Sequence, residues 1–200
     1  MKKLFVFLFL CLLIISCYSV SVLALVSGAE PPKAYQPLFI TNAGQGPGGK
    51  MARLLVIRSK AVEEWTYNAE PREKELNEKP YKTLLIVIGS SAKGLGASGI
   101  TIDDEIARLE IMIKEAKRLN MQIIAAHIEG TARRDNERGP NERSIDAVAP
   151  FADYIIVQKD GNADGRFTKI AEENNIPLTI IDNTLDLIQV IEKMYPKPRE

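Results

Sequence analysis

Two periodicities alternate along this chain. Short runs that are apolar at nearly every position, at 37–41, 83–88, 121–128, 154–157 and 177–181, read as strands buried on both faces. Between them lie stretches in which apolar residues recur every three or four positions. The clearest is 101–119, where Ile102, Ile106, Leu109, Ile113 and Ala116 form one stripe and Thr101 with Asp104 forms a cap pair. Further helices are predicted over 47–61, with Pro47 at the first helical position, and over 144–149, capped by Ser144. Two more follow over 167–174 and 185–195. A less regular strand is predicted over 63–69, with Trp65 and Tyr67 on one face, followed by a charged surface connection at 70–81. The polar stretch 129–143 reads as a lid or mobile loop. This alternation predicts an α/β fold: a doubly wound, mostly parallel sheet of about six strands in a Rossmann-like or flavodoxin-like three-layer sandwich.

The amino terminus breaks the pattern. Met1-Lys2-Lys3 precedes an apolar run from Leu4 to Val26, the form of an export signal. Small residues at Ser27-Gly28-Ala29 favour cleavage before Glu30. Ile14-Ile15-Ser16-Cys17 resembles a lipobox, which would place a lipid on Cys17, and the run is also long enough to remain as an anchor. The expected organisation is a signal peptide at 1–29, a tether at 30–36 and a single domain at 37–200. The folded part is then periplasmic or extracellular, or held at the membrane through residues 4–26 or a lipidated Cys17. Both cysteines, Cys11 and Cys17, lie in the apolar segment, so the remainder has no disulfide, thiol nucleophile or cysteine metal site. Residues 1–29 contain two lysines and no acid; without them 24 basic side chains face 26 acidic ones, a net charge of −2. That balance lacks the basic excess of nucleic-acid binders.

In doubly wound sheets ligands sit beyond the carboxyl ends of the strands. Two loops there are rich in glycine. Gly44-Gln45-Gly46-Pro47-Gly48-Gly49 fits the spacing of a dinucleotide fingerprint, but Pro47 interrupts the turn and no acid ends the next strand on time. A tight turn presenting helix N–H groups is favoured. Residues 89–99, Gly-Ser-Ser-Ala-Lys-Gly-Leu-Gly-Ala-Ser-Gly, read as a small-residue loop with Lys93 as its one charge. It lacks the closing Lys-Ser/Thr of a P-loop. Candidate ligand contacts are Asn42, Gln45, Ser90, Ser91, Lys93, His127, Glu129, Arg133, Arg134 and Asp182. His127, the only histidine, and Glu129 would share a side of a continuing strand, a geometry suited to acid–base work if any reaction occurs. The competing reading is a histidine packed in its strand. Arg133 and Arg134 suit an anion clamp, or a solvated charge run with Asp135, Glu137 and Arg138. Asp182 suits either a ligand contact or the cap of the final helix. Asp160, Asn162 and Asp164 are read as turn residues. No cofactor and no metal is expected.

The phrases at 41–48 (Thr-Asn-Ala-Gly-Gln-Gly-Pro-Gly), 89–96, 126–134 (Ala-His-Ile-Glu-Gly-Thr-Ala-Arg-Arg) and 181–185 (Ile-Asp-Asn-Thr-Leu) resemble a family of exported bacterial proteins of unknown function. The resemblance implies secretion and a single α/β domain. It implies no reaction and no catalytic residue. Three functions follow as expectations. The first is an extracytoplasmic domain binding a small polar or anionic molecule. The second is a hydrolase or lyase using His127 and Glu129, with Lys93 and loop amides at a developing oxyanion. The third is a non-catalytic module docking on a membrane-associated protein partner. In each, membrane contact is expected only through the amino-terminal segment.

Overall fold

The computed structural model describes residues 26–196. Its strands are β1 (Val26–Gly28), β2 (Leu38–Ala43), β3 (Trp65–Tyr67), β4 (Thr83–Ile88), β5 (Gln122–His127), β6 (Tyr154–Gln158) and β7 (Leu178–Ile181). Its helices are α1 (Gly48–Ser59), α2 (Ala92–Ser98), α3 (Ile102–Arg118), α4 (Pro140–Val148), α5 (Arg166–Asn174) and α6 (Leu187–Met194). The sheet order is β1-β7-β6-β5-β4-β2-β3. All pairings are parallel except that of β1, which runs antiparallel to β7 with Val26 opposite Ile181. Among the described residues the strands number seven, and the addition to the predicted six is β1. The stretch read as a tether is packed, with Ala34 buried and its N–H donating to the Met194 carbonyl at 2.8 Å.

The strands are apolar throughout because both faces are covered. β4 shows how the alternation divides: Leu84, Ile86 and Ile88 face α3, α4 and α5, while Leu85 and Val87 face α1 and α6. α3 starts where predicted. Thr101 Oγ1 accepts from the Asp104 N–H at 3.2 Å, and Asp104 Oδ2 accepts from the Thr101 N–H at 2.8 Å, so two otherwise orphaned donors are satisfied.

Several boundaries differ from the expectation. The small-residue loop is only Gly89–Ser91 long; from Ala92 the chain is helical, with Ser91 Oγ accepting from the Gly94 N–H at 3.1 Å. Pro47 is the N-cap of α1 rather than its first turn residue. Ser144 lies inside α4, its hydroxyl donating to the Pro140 carbonyl at 2.8 Å, because the helix already begins at Pro140. The rest of 129–143 is built on a short turn of 3-10 helix (Gly130–Arg133) and on buried ion pairs. No helix among the described residues is long and apolar enough to cross a membrane.

Candidate functional site

Strand order reverses between β2 and β4: the chain leaves β2 outward to β3 and leaves β4 in the other direction to β5. This is the point at which such sheets open a crevice. Here the flanking loops are zipped together. The Gly89 N–H donates to Ala43 O at 2.9 Å, Ser91 N–H to Gly44 O at 2.8 Å and Gly46 N–H to Gly89 O at 2.9 Å. Gly44 makes the zipper possible. Its φ is +96°, and a Cβ there would stand 2.5 Å from Ser90 Cα.

Glu129 reaches the switch point from β5. The strand ends at His127, and Glu129, with φ −105° and ψ 8°, turns its carboxylate toward the β2 and β4 loops. A Cβ would approach Oε1 to 2.8 Å at Gly48, 3.0 Å at Gly89 and 3.4 Å at Gly46. α1 has no acid in its first turn and no side-chain cap, so Glu129 places a negative charge near its amino-terminal dipole from across the fold. Oε2 accepts from Arg133 Nε at 2.9 Å, and Arg133 Nη1 donates to Ser90 O at 3.0 Å. Oε1 has no partner, and neither does Ser90 Oγ. Asn42 Oδ1 and the Tyr67 hydroxyl, both beside Gly49 on the other flank of the same turn, are likewise unpartnered. Ser90 is 4% exposed and the Glu129 side chain 9%.

The periodicity did not flag a second carboxylate, Glu105 of α3. It is fully buried. Oε1 accepts from the Gly44 N–H at 2.9 Å and Arg108 Nη2 at 2.8 Å, and Oε2 from Arg108 Nε at 2.9 Å. Gln45, itself at φ +58°, donates to both oxygens and to Ala69 O. The signal was present in the stripe: Glu105, Leu109, Met112 and Ala116 share helical spacing and burial, so a charge stands in an apolar row.

His127 and Glu129 do not share a side. The His127 ring is completely buried against Phe167, centroids 5.0 Å apart, with Nε2 at 3.1 Å from Arg133 O and Nδ1 unpartnered beside Gly161. Nε2 carries the proton it donates to that carbonyl, which leaves Nδ1 bare. Burial holds the imidazole below its ordinary range, partly offset by the Arg133 carbonyl. Nor do Arg133 and Arg134 act as one clamp. Arg134 turns the other way, to Glu142 at 2.7 Å, Asp164 at 2.6 Å and the Gly161 carbonyl. Arg166 closes the knot at 3.0 Å from Glu142.

The profile of DUF6305, a domain of unknown function, matches residues 35–195. The chain belongs to this family. No curated protein matches it. Among solved structures it is similar to a psychrotrophic esterase from a Pseudoalteromonas species, at 12% identity and TM-score 0.37, covering 80% of this chain and 95% of that one. It is also similar to a GDSL-like lipase from Bacteroides thetaiotaomicron, at 10% identity and TM-score 0.33, covering 70% and 65%. At these values the likeness carries no activity to the DUF6305 domain.

Of the residues singled out in sequence, the DUF6305 fold gathers Asn42, Gln45, Ser90, Glu129 and Arg133 around the switch point. Ser91 serves as the cap of α2. His127 and Arg134 form a neighbouring buried group, joined to the switch point through the Arg133 backbone. Lys93 is exposed on α2 rather than held in a loop, and makes no ion pair among the described residues. Asp182 is exposed, 3.9 Å from Lys159. It does not cap the last helix: α6 has no side-chain cap, and Asn183 caps the 3-10 turn Thr184–Asp186 before it, its Oδ1 accepting from the Leu185 N–H at 3.0 Å.

Proposed function

We propose that this domain is an extracytoplasmic, non-catalytic binding module. It would take a small polar molecule at the switch point of a flavodoxin-like sheet. One observation carries the reading: Glu129 Oε1, packed against Gly89, and Oγ of the adjoining Ser90 are both buried without hydrogen-bond partners. An unmade hydrogen bond of that kind costs about 1–3 kcal/mol, more for a charged group, and a ligand recovers it. The free group on Glu129 is an acceptor, and the cations nearest it are neutralised, Arg133 by Glu129 and Arg108 by Glu105. The complementary ligand therefore brings donors, as an ammonium, amide or hydroxyl group. Beside Glu129 itself an anion finds no unpaired cation; the unpaired Arg53 lies over the Tyr67 ring, on the other flank of the turn. Entry requires Arg133 to swing off Ser90, which its partly exposed guanidinium allows. Catalysis draws less support, since the His127 ring is sealed and no nucleophile is paired with it. The basic start and apolar run of residues 2–26, the pattern expected of an export signal, support the extracytoplasmic location.

Thermal-shift measurements on the full-length chain against amines, amides, polyols, organic acids and phosphates test this reading. A donor-bearing compound should raise Tm, and Glu129→Ala and Ser90→Ala should each abolish the rise while the variants stay folded. Shifts confined to phosphates or carboxylates, or a shift untouched by both substitutions, would overturn it.

A further inference from the structure

The surface of α1 is unlike the rest of the molecule. Between Glu30 and Glu63 the chain has no acidic residue, yet it carries Lys33, Lys50, Arg53, Arg58 and Lys60. Lys50, Leu54, Ile57 and Arg58 fall on one helical face, and all are exposed, Leu54 by 56% and Ile57 by 46%. Past the helix the same character continues. Lys60, Lys33 and Tyr35, itself 56% exposed, line one depression with Glu63 at its border. None of these cations forms an ion pair among the described residues, whereas Arg108, Arg118, Arg133, Arg134, Arg143 and Arg166 all do. The exposed stretch of α3 on the opposite face makes the contrast: there Ile111 is as exposed, but acids are interspersed and Arg118 pairs with Glu115.

We propose that this face docks on an anionic lipid surface. Unpaired cations flanking two large aliphatic side chains and a tyrosine match a bilayer interface, where the aliphatics enter the acyl boundary and the cations meet headgroup phosphates. The topology supplies the second argument. The apolar run from Leu4 to Val26 leads without a spacer into β1, and Val26 pairs with Ile181 at the carboxyl end of β7. The chain thus enters at the carboxyl rim of the sheet, the rim at which α1 also begins, with β7, β6, β5 and β4 between β1 and β2; a retained segment keeps the whole domain, and with it the basic face, at the membrane surface. A protein partner with an acidic groove is the alternative occupant, and the test separates the two.

The full-length chain is reconstituted into vesicles of phosphatidylcholine, with or without phosphatidylglycerol, in which a fraction of the lipid carries brominated acyl chains. Trp65→Phe removes the native fluorophore, and Leu54→Trp or Ile111→Trp reports on one face each. Fluorescence of Leu54→Trp should be quenched in the anionic vesicles and recover in high salt, and Ile111→Trp should stay unquenched. Each of Lys50→Glu, Arg58→Glu and Lys60→Glu should lower the docked-to-free ratio by about five-fold or more. Quenching of Leu54→Trp in neither vesicle, or equally at both reporter positions, would overturn the proposal. In the first case the face is left to a protein.

Discussion

Glu105 is buried and Glu129 nearly so; each is paired with an arginine on the same helical turn or the next, and each is aimed at glycine loops of the switch point. They differ in how much of each carboxylate is used. Glu105 has both oxygens filled, by Gly44, Gln45 and Arg108. Glu142, a buried carboxylate in the neighbouring group, is filled as well, by Arg134, Arg166 and the Asp135 N–H. Only Glu129 keeps a bare oxygen. A fully partnered buried charge fixes geometry; a half-partnered one keeps an unspent interaction. On the proposed binding reading the difference makes Glu105 structural and Glu129 the recognition group, and the two residues should therefore respond oppositely to substitution.

The largest effect is expected at Glu105. Replacing it with alanine strands Arg108 and the Gly44 N–H, and breaking a buried pair from one side costs about 3–5 kcal/mol. Urea denaturation should show the unfolding free energy falling by that amount, with a correspondingly lower midpoint. A loss smaller than that of Glu129→Ala would reverse the comparison. Gly44→Ala comes next, since it meets a left-handed φ and the Ser90 backbone together. Strain of this kind costs on the order of 1–3 kcal/mol per site, and it should also unzip the two loops, visible as faster amide exchange at Gly46 and Ser91.

These positions also show how far the sequence could be read. β4 and the start of α3 were legible because continuous burial and a capping pair are local signals. The helix α2 was not, because Gly94 and Gly96 argue for a loop. Gly94 is there for contact instead: a Cβ would collide with the Gln45 carbonyl, a neighbour 49 positions away that no local pattern reveals. The separation of His127 from Glu129 was hidden for a similar reason. Period-2 alternation holds only while the strand lasts, and β5 stops at His127. Glu105 was legible in principle, as a charge in an apolar row, but its partners lie in another loop.

A smaller effect tests the sealed histidine. The folded-state pKa of His127 is depressed by burial from the ordinary 6.5. Below pH 6.5 the unfolded chain takes up a proton that the folded chain refuses, so the stability this group contributes is complete above that pH. It is lost as pH falls toward the folded value, by at most about 1.4 kcal/mol per pH unit. Thermal denaturation between pH 7.5 and 5 should show this slope, and His127→Gln should flatten it. An unchanged slope would mean the imidazole is reached by solvent. Asp164, held to about 2 by Arg134, contributes in a separate, more acidic window.

The smallest effect on stability is expected at Glu129, and there the comparison is sharpest. Glu129→Gln keeps an acceptor for Arg133 and removes a charge whose second oxygen had no partner. The lost ion pair is partly exposed on the arginine side and is worth about 0–1 kcal/mol. Removing the bare charge from a buried site offsets some of that, so the urea midpoint should scarcely move. Recognition should move much more, because an ammonium or amide donor bound to a charged acceptor loses roughly 1.5–3 kcal/mol when that charge is removed. Stability nearly unchanged with affinity reduced by an order of magnitude or more is the signature of a residue kept for binding. A loss of stability comparable to Glu105→Ala would mean that Glu129 is one more structural clamp, with its free oxygen incidental.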